Sequence, residues 1–440
     1  MAASKTKKGK MAWWQLSLLG CGCTIGTGFF LGFSLAIQKA GPAVIILFLL
    51  AALATYFVYE ALGKMAAKYP EKGSFRTYAK KAFGKWAGFS NGWMYCTSEI
   101  LIMGSQLTAL SIFSRFWFPN VPLWIFSLFF SIAGLAVLFT GMKGFERMEN
   151  LFGIIKTAAI VMFIVIAIVM LTMGDKQALT QEAWSQNIDQ FFSEGAKGLW
   201  LAFLFAFYAY GGIEVMGLLA IDLKHPKQAP LAGSVMIIAL TIIYVCSIAL
   251  ALSLLQWDEF NIKQSPFITA LSPYDIPFVP HLFTAILIIA GFSTMVAALY
   301  AVMTIVITLA EDKDAPPFIA KKGRWNIPIP AFVFTSISLL LSVVVAFLLP
   351  KKIFEYITTA AGIMLLYNWI FILVTYFKLM KVSKWSIVKV CVGIGFILIA
   401  ISGTLGEETS RYGWYVSMAF LLIISIATWI RYFIYERDTG

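Results

Sequence analysis

The chain has 440 residues, of which 60% are hydrophobic, 16% aromatic and only 13% charged, and its mean hydropathy is +0.83. Soluble domains carry about 25% charged residues, so this chain cannot cover its own surface with polar groups. That excludes a soluble enzyme, a disordered protein and a disulfide scaffold, and it describes an all-α polytopic membrane protein. The formal net charge of +12 reflects orientation in the bilayer, not a nucleic-acid partner.

Apolar runs long enough to cross about 30 Å of hydrocarbon predict twelve transmembrane helices. In chain order they cover 13–37, 41–63, 86–114, 121–140, 150–173, 198–221, 231–255, 281–310, 330–349, 354–377, 386–405 and 413–433. Lys5, Lys7, Lys8 and Lys10 precede a run longer than a signal h-region, so the first segment is read as retained. Lysine and arginine sort by side. Twenty-five of the 34 fall in the tails and on loops on the N-terminal side, eight fall opposite, and Lys156 lies inside a span. The positive-inside rule then puts both termini in the cytoplasm of a multi-pass plasma-membrane protein. The five cysteines sit in apolar runs as small buried hydrophobes, and the two histidines, His225 and His281, lie at segment ends. No metal or cofactor site is expected, and no protein partner is implied.

Two spans depart from plain Leu, Ile, Val and Phe. The first carries Gly20, Gly22, Gly26, Gly28 and Gly32, and the sixth reads Tyr208-Ala209-Tyr210-Gly211-Gly212-Ile213-Glu214. Glycine lowers the cost of leaving helical geometry. Non-helical backbone survives at membrane depth only where protein or a water cavity satisfies its polar groups. Interruptions at matching places in two halves predict an inverted-repeat transporter with a mid-membrane site. Spans one and six open two five-span units, and the odd number inverts the second. Free N–H groups at one half-helix start suit a carboxylate; free carbonyls at the other ends suit an ammonium. A zwitterionic amino acid needs both. The competing reading is close packing through Gly-x-x-x-Gly, a spacing found at Gly22/Gly26 and Gly28/Gly32.

Ile25-Gly26-Thr27-Gly28-Phe29-Phe30-Leu31-Gly32 resembles the first-span motif of bacterial amino acid permeases of the amino acid–polyamine–organocation superfamily. Ala40-Gly41-Pro42, Glu60 to Ala66, Gly92-Trp93, Phe205-Ala206-Phe207, Asp314-Ala315-Pro316 and Ile327-Pro328-Ile329-Pro330 follow where that family has its own motifs. The resemblance covers roughly residues 12–380. It implies a five-plus-five inverted-repeat (LeuT-like) fold: an N-terminal tail over 1–12, repeats over 13–173 and 198–377, peripheral helices over 386–433 and a tail over 434–440. It implies that Gly26, Thr27 and Gly28, with Thr24 and Ile25 beside them, hold the substrate carboxylate. The stretch from Tyr208 through Tyr210 to Gly211 and Gly212 would hold the amino group, with Tyr208 as a gate. Two positions depart from the family. Gln106 stands where many relatives have a span-three acid, which argues against a cationic substrate. Leu299-Tyr300-Ala301-Val302-Met303-Thr304 replaces a Leu-Tyr-Ser-x-Ser-Arg run, which puts the span-eight wall in doubt.

Three ionisable side chains, Glu99, Lys156 and Glu214, sit inside spans, each at about 2.5–3.5 kcal/mol on insertion scales, so each is a functional candidate. Lys156 is seven residues from Glu149 and about 10 Å deep. In related permeases a fifth-span lysine takes the place of a coupling cation; it would touch first-span carbonyls between Leu18 and Cys23. Glu214 is about 12 Å deep, so an ion pair with Lys156 is allowed. Its roles are proton coupling or accepting from nearby backbone donors. Glu99 either faces the cavity or hydrogen-bonds within the protein. The expected function is proton-coupled import of neutral amino acids by alternating access. An exchanger of the same fold and a non-transporting amino acid sensor are the alternatives. An enzyme would need a nucleophile, an acid–base pair or a metal cluster, and the sequence offers none.

Overall fold

The computed structural model describes residues 9–173, 191–192, 194–260, 265–274, 276–321, 328–348 and 353–437. Lys5, Lys7 and Lys8, Ile327 and residues 438–440 lie outside that set. No strand occurs among the described residues; Met11 meets Leu223 in one isolated parallel bridge. Sixteen α-helices are described among these residues, with short 3-10 turns between some of them. They are α1 (Trp13–Thr24), α2 (Thr27–Ala40), α3 (Val44–Lys68), α4 (Phe75–Phe83), α5 (Lys85–Ser114), α6 (Leu123–Phe139), α7 (Met142–Met173), α8 (Gly195–Tyr208), α9 (Ile213–Leu219), α10 (Ala229–Leu254), α11 (Pro266–Leu271), α12 (Val279–Glu311), α13 (Ile329–Leu348), α14 (Ile353–Leu379), α15 (Lys384–Gly403) and α16 (Glu408–Arg437).

Each apolar run read from the sequence is helical. Nine helical stretches among the described residues are long and apolar enough to cross a membrane, and 123–139 and 329–344 are shorter apolar helices. The fifth run extends further than its composition suggested, since α7 starts at Met142. Exposure sorts the helices into two classes. The interrupted helices and α5 are mostly buried. By contrast, α7, α10, α13, α15 and α16 turn large apolar side chains outward, among them Leu151, Val165, Ile242, Leu341, Leu398 and Leu422. An apolar exterior around a partly polar interior suits a lipid surround.

The first and sixth runs are each broken in two. α1 stops at Thr24, Ile25 is extended (φ −70°, ψ 105°), and α2 starts at Thr27. α8 stops at Tyr208, four turn residues follow, and Gly212 at φ 112° opens α9. That left-handed conformation disfavours any residue with a Cβ. The two broken runs lie side by side and antiparallel. Gly28 abuts Tyr208 and Gly32 faces the Phe205 carbonyl on one side of the breaks. On the other side Gly20 abuts Met216 and the Cys23 carbonyl approaches Gly212. Each break therefore faces the other.

Candidate functional site

The facing breaks enclose a cavity. Its wall is formed by Thr24, Gly26 and Gly28 of the first run, by Tyr208, Gly211 and Gly212 of the sixth, and by Glu99 and Gln106 of α5. It is tight, about 30 Å³, which is close to the share of one liquid water. A bound amino acid would require the walls to part.

Four helix ends converge here. α1 and α8 end in carbonyls; α2 and α9 begin with N–H groups that intrahelical bonding leaves free. The α9 start is already capped, because Gly212 N–H donates to Glu214 Oε2 at 3.0 Å. At the α2 start, the N–H groups of Phe29 and Phe30 close onto the Gly26 carbonyl at 3.1 and 3.3 Å. Thr27 and Gly28 precede them in the first turn, where the helix dipole favours negative charge. Among the carbonyls of the second break, that of Tyr208 accepts Gly211 N–H at 3.2 Å and that of Ala209 accepts the Tyr244 hydroxyl at 3.3 Å. Those of Tyr210 and Gly211 come next in the chain.

The polar side chains set the shape of the cavity. Thr27 Oγ1 donates to Gln106 Oε1 at 2.7 Å, which fixes the Gln106 amide and leaves its NH₂ as a donor. The Tyr208 hydroxyl is turned toward Ser105 and Gln106, and its ring lies over Gly28, where an added Cβ would meet Cδ1 at 2.9 Å. Beyond α2, Phe29 stacks on Tyr244 at 3.8 Å, and Phe163 stacks on Phe267 at 4.1 Å. These rings join α2 to α10, and α7 to α11.

The intramembrane charges separate. Lys156 Nζ donates to the Gly22 carbonyl of α1 and to Ser293 Oγ of α12 at 2.8 Å. Ser293 Oγ in turn donates to Glu149 Oε2 at 2.7 Å. Contact with a first-span carbonyl is what the resemblance implied. Glu149, used in the sequence as a marker near the membrane surface, is fully buried and belongs to the same chain of bonds. A pair between Lys156 and Glu214 does not form. Glu214 is held by Gly212 N–H and by Trp369 Nε1 of α14, so it serves as the acceptor that fixes the second break. Neither residue lines the cavity; Glu99 does.

A family model described as amino acid permease matches residues 15–436. The chain belongs to that family. It is 51% identical, over 99% of its length and 98% of the relative's, to the transporter YcgH of Bacillus subtilis (strain 168). It is 30% identical to the L-asparagine permease of Escherichia coli (strain K12), over 84% of this chain and 75% of that one. Against the aromatic amino acid transport protein AroP of the same strain identity is 29%, over 84% and 81%.

In this permease three expected wall residues stand back from the cavity. Ile25 is buried in the core. Thr27 acts through Gln106. Tyr210 turns away, its hydroxyl donating to the Phe48 carbonyl at 3.3 Å while its ring packs on Tyr244. The sequence also missed part of the wall: Cys23, Ile102, Val215, Thr294, Ala297, Ala298 and Leu365. The doubtful span-eight motif does not supply that side, since Tyr300 stacks on Phe145 at 4.4 Å; residues one to two turns earlier do. The Gly26–Thr294 contact is what brings α12 against the first break.

Proposed function

We propose that this permease imports neutral amino acids across the plasma membrane by proton-coupled alternating access. The fold behind the proposal is a twelve-crossing, five-plus-five inverted repeat, with both termini cytoplasmic and the last two helices peripheral. One observation carries it: two antiparallel interrupted helices face each other across a cavity whose largely apolar wall carries Thr24, Glu99, Gln106 and Tyr208. The substrate carboxylate sits at the α2 start, on the N–H groups of Thr27 and Gly28. The ammonium takes the carbonyls of Tyr210 and Gly211, with Thr24 beside them. Tyr208 closes over the bound zwitterion, and Gln106, its amide fixed by the Thr27 hydroxyl, orients it.

Lys156 is the coupling residue of this reading. Its ammonium ties α7 to α1 and α12, and losing a proton would loosen the Gly22 contact as α1 swings. Glu214 holds the second break in the shape the cavity needs. The test is uptake of a labelled amino acid panel into proteoliposomes, with and without an inward proton gradient. Neutral amino acids are expected to accumulate only with the gradient, and Lys156→Ala to abolish accumulation while counterflow persists. Uptake that ignores the gradient and requires amino acid inside the vesicle would identify an exchanger instead.

A further inference from the structure

Glu99 is 4% exposed, lies on α5 and faces the cavity. A carboxylate at membrane depth must be neutralised or well bonded. Its surroundings supply little. On its own helix Tyr95 and Cys96 lie nearby, the buried Tyr95 hydroxyl without a hydrogen-bond partner. From α1 comes Cys23, from α8 Tyr208, and from α9 Glu214, close enough for the two carboxyl charges to act on each other. The residues that α12 and α14 bring to the cavity, Thr294, Ala297, Ala298 and Leu365, carry no charge. No lysine or arginine pairs with Glu99 among the described residues.

The two acids are not equivalent. Glu214 has two N–H donors and a helix start to support an anion. Glu99 has one phenol and a like charge beside it. A zwitterion entering the cavity brings no net charge, so it cannot neutralise Glu99 without exposing its own carboxylate. A proton can.

We infer that Glu99 is the proton-binding site of the cavity itself, so that closing around a neutral amino acid requires a protonated Glu99 and takes one proton up with the substrate. Lys156, bonded outside the cavity wall, acts on the helix instead. The inference rests on the proposed proton coupling and extends it from transport to binding. By reciprocity, a substrate that raises proton affinity binds more tightly in acid, by about tenfold per pH unit above the titration midpoint.

The experiment is calorimetric titration of the purified permease with the neutral amino acids it transports, in buffers of different ionisation enthalpy and across pH. Wild type is expected to take up about one proton per substrate bound. Glu99→Gln is expected to bind with no proton uptake and no pH dependence. Proton uptake undiminished in Glu99→Gln overturns the assignment even if transport proves gradient-driven. If binding is pH-independent in wild type while uptake follows the gradient, the coupling stands and the Glu99 site falls. Should Glu99→Gln fail to fold, Glu99→Asp keeps a carboxyl and is expected to shift the pH midpoint of binding; an unmoved midpoint counts against Glu99.

Discussion

Gly28 and Gly212 serve the same cavity for different reasons. A Cβ on Gly28 would meet the Tyr208 ring and the Tyr208 carbonyl, each at 2.9 Å. Gly28→Val is therefore expected to wedge α2 from α8 and abolish substrate-induced thermal stabilisation; normal ligand shifts in that variant would remove the carboxylate site from this place. Gly212 is held at φ 112°, with the Cys23 carbonyl 2.9 Å from an added Cβ. Gly212→Ala is expected to lower stability by about 1–2 kcal/mol, read as a fall in unfolding temperature even without substrate. Such residues were legible in sequence, because glycine and charge inside a membrane span stand out against leucine and phenylalanine. The glycines of the first run divide by position. Gly22 packs against Gly153 of α7, with 3.2 Å between its Cα and an added Cβ there, while Gly26 and Gly28 line the cavity. Thr294, Ala297, Ala298 and Leu365 were not legible. They are ordinary residues for a span, and only the packing of α12 and α14 against the breaks makes them a wall.

Among the described elements, α4 and the six-residue α11 are the helices the apolar runs did not foretell, and α4 is the longer. It is nine residues long and rich in basic side chains, and the sequence read it as part of a polar loop. Its signal is short: Phe75, Tyr78 and Ala79 share a face at helical spacing and are buried. That face carries Arg76 inward as well. Arg76 is 1% exposed and donates to the Thr308 carbonyl at 3.2 Å, to Asp312 at 2.6 Å and to Asp314. Asp314 also pairs with Arg431 of α16. The cluster thus joins α4 to the end of α12 and to the last helix. Removing one partner of a buried pair costs about 3–5 kcal/mol. Arg76→Ala is expected near the lower end, since Arg431 still faces Asp314, and unfolding in detergent measures it. Burial opposes the Asp312 charge, yet hydrogen bonds from Lys80 and Arg76 outweigh it and hold the carboxyl below its ordinary pKa. A depressed acid stabilises the fold fully above the unfolded value, about 3.9 for aspartate. That contribution disappears as pH falls through the lower folded value. Asp312→Asn should therefore flatten the acid limb of thermal stability; an unchanged limb would show that the Asp312 bonds do not contribute.

Across the whole molecule, charge clusters stand on opposite faces of the helix bundle. Arg76 and its partners hold the N-terminal face. On the opposite face Lys39, at the end of α2, pairs with Glu355 of α14 at 3.4 Å and with Glu407 just before α16, and Thr409 Oγ1 supports Glu355 at 2.9 Å. Lys39 thus ties the second half of the first broken run to α14, a helix of the second repeat, and to the start of α16, which the sequence reading treated as peripheral. With both clusters formed, the cavity is about 30 Å³, too small for any amino acid; under the proposed alternating access, one cluster opens to load it and the other to empty it. Cys23 reports which, because it lines the cavity and is a buried free thiol. In a background with Cys21, Cys96, Cys246 and Cys391 replaced by serine, Cys23 is expected to resist membrane-impermeant thiol reagents applied from either face. Lys39→Met, which removes the charge and keeps most of the apolar stem, is expected to let the reagent in from the face opposite the N-terminus, and Arg76→Ala from the N-terminal face. Labelling from the same side in both variants, or in neither, would mean that these clusters hold the fold together without governing access.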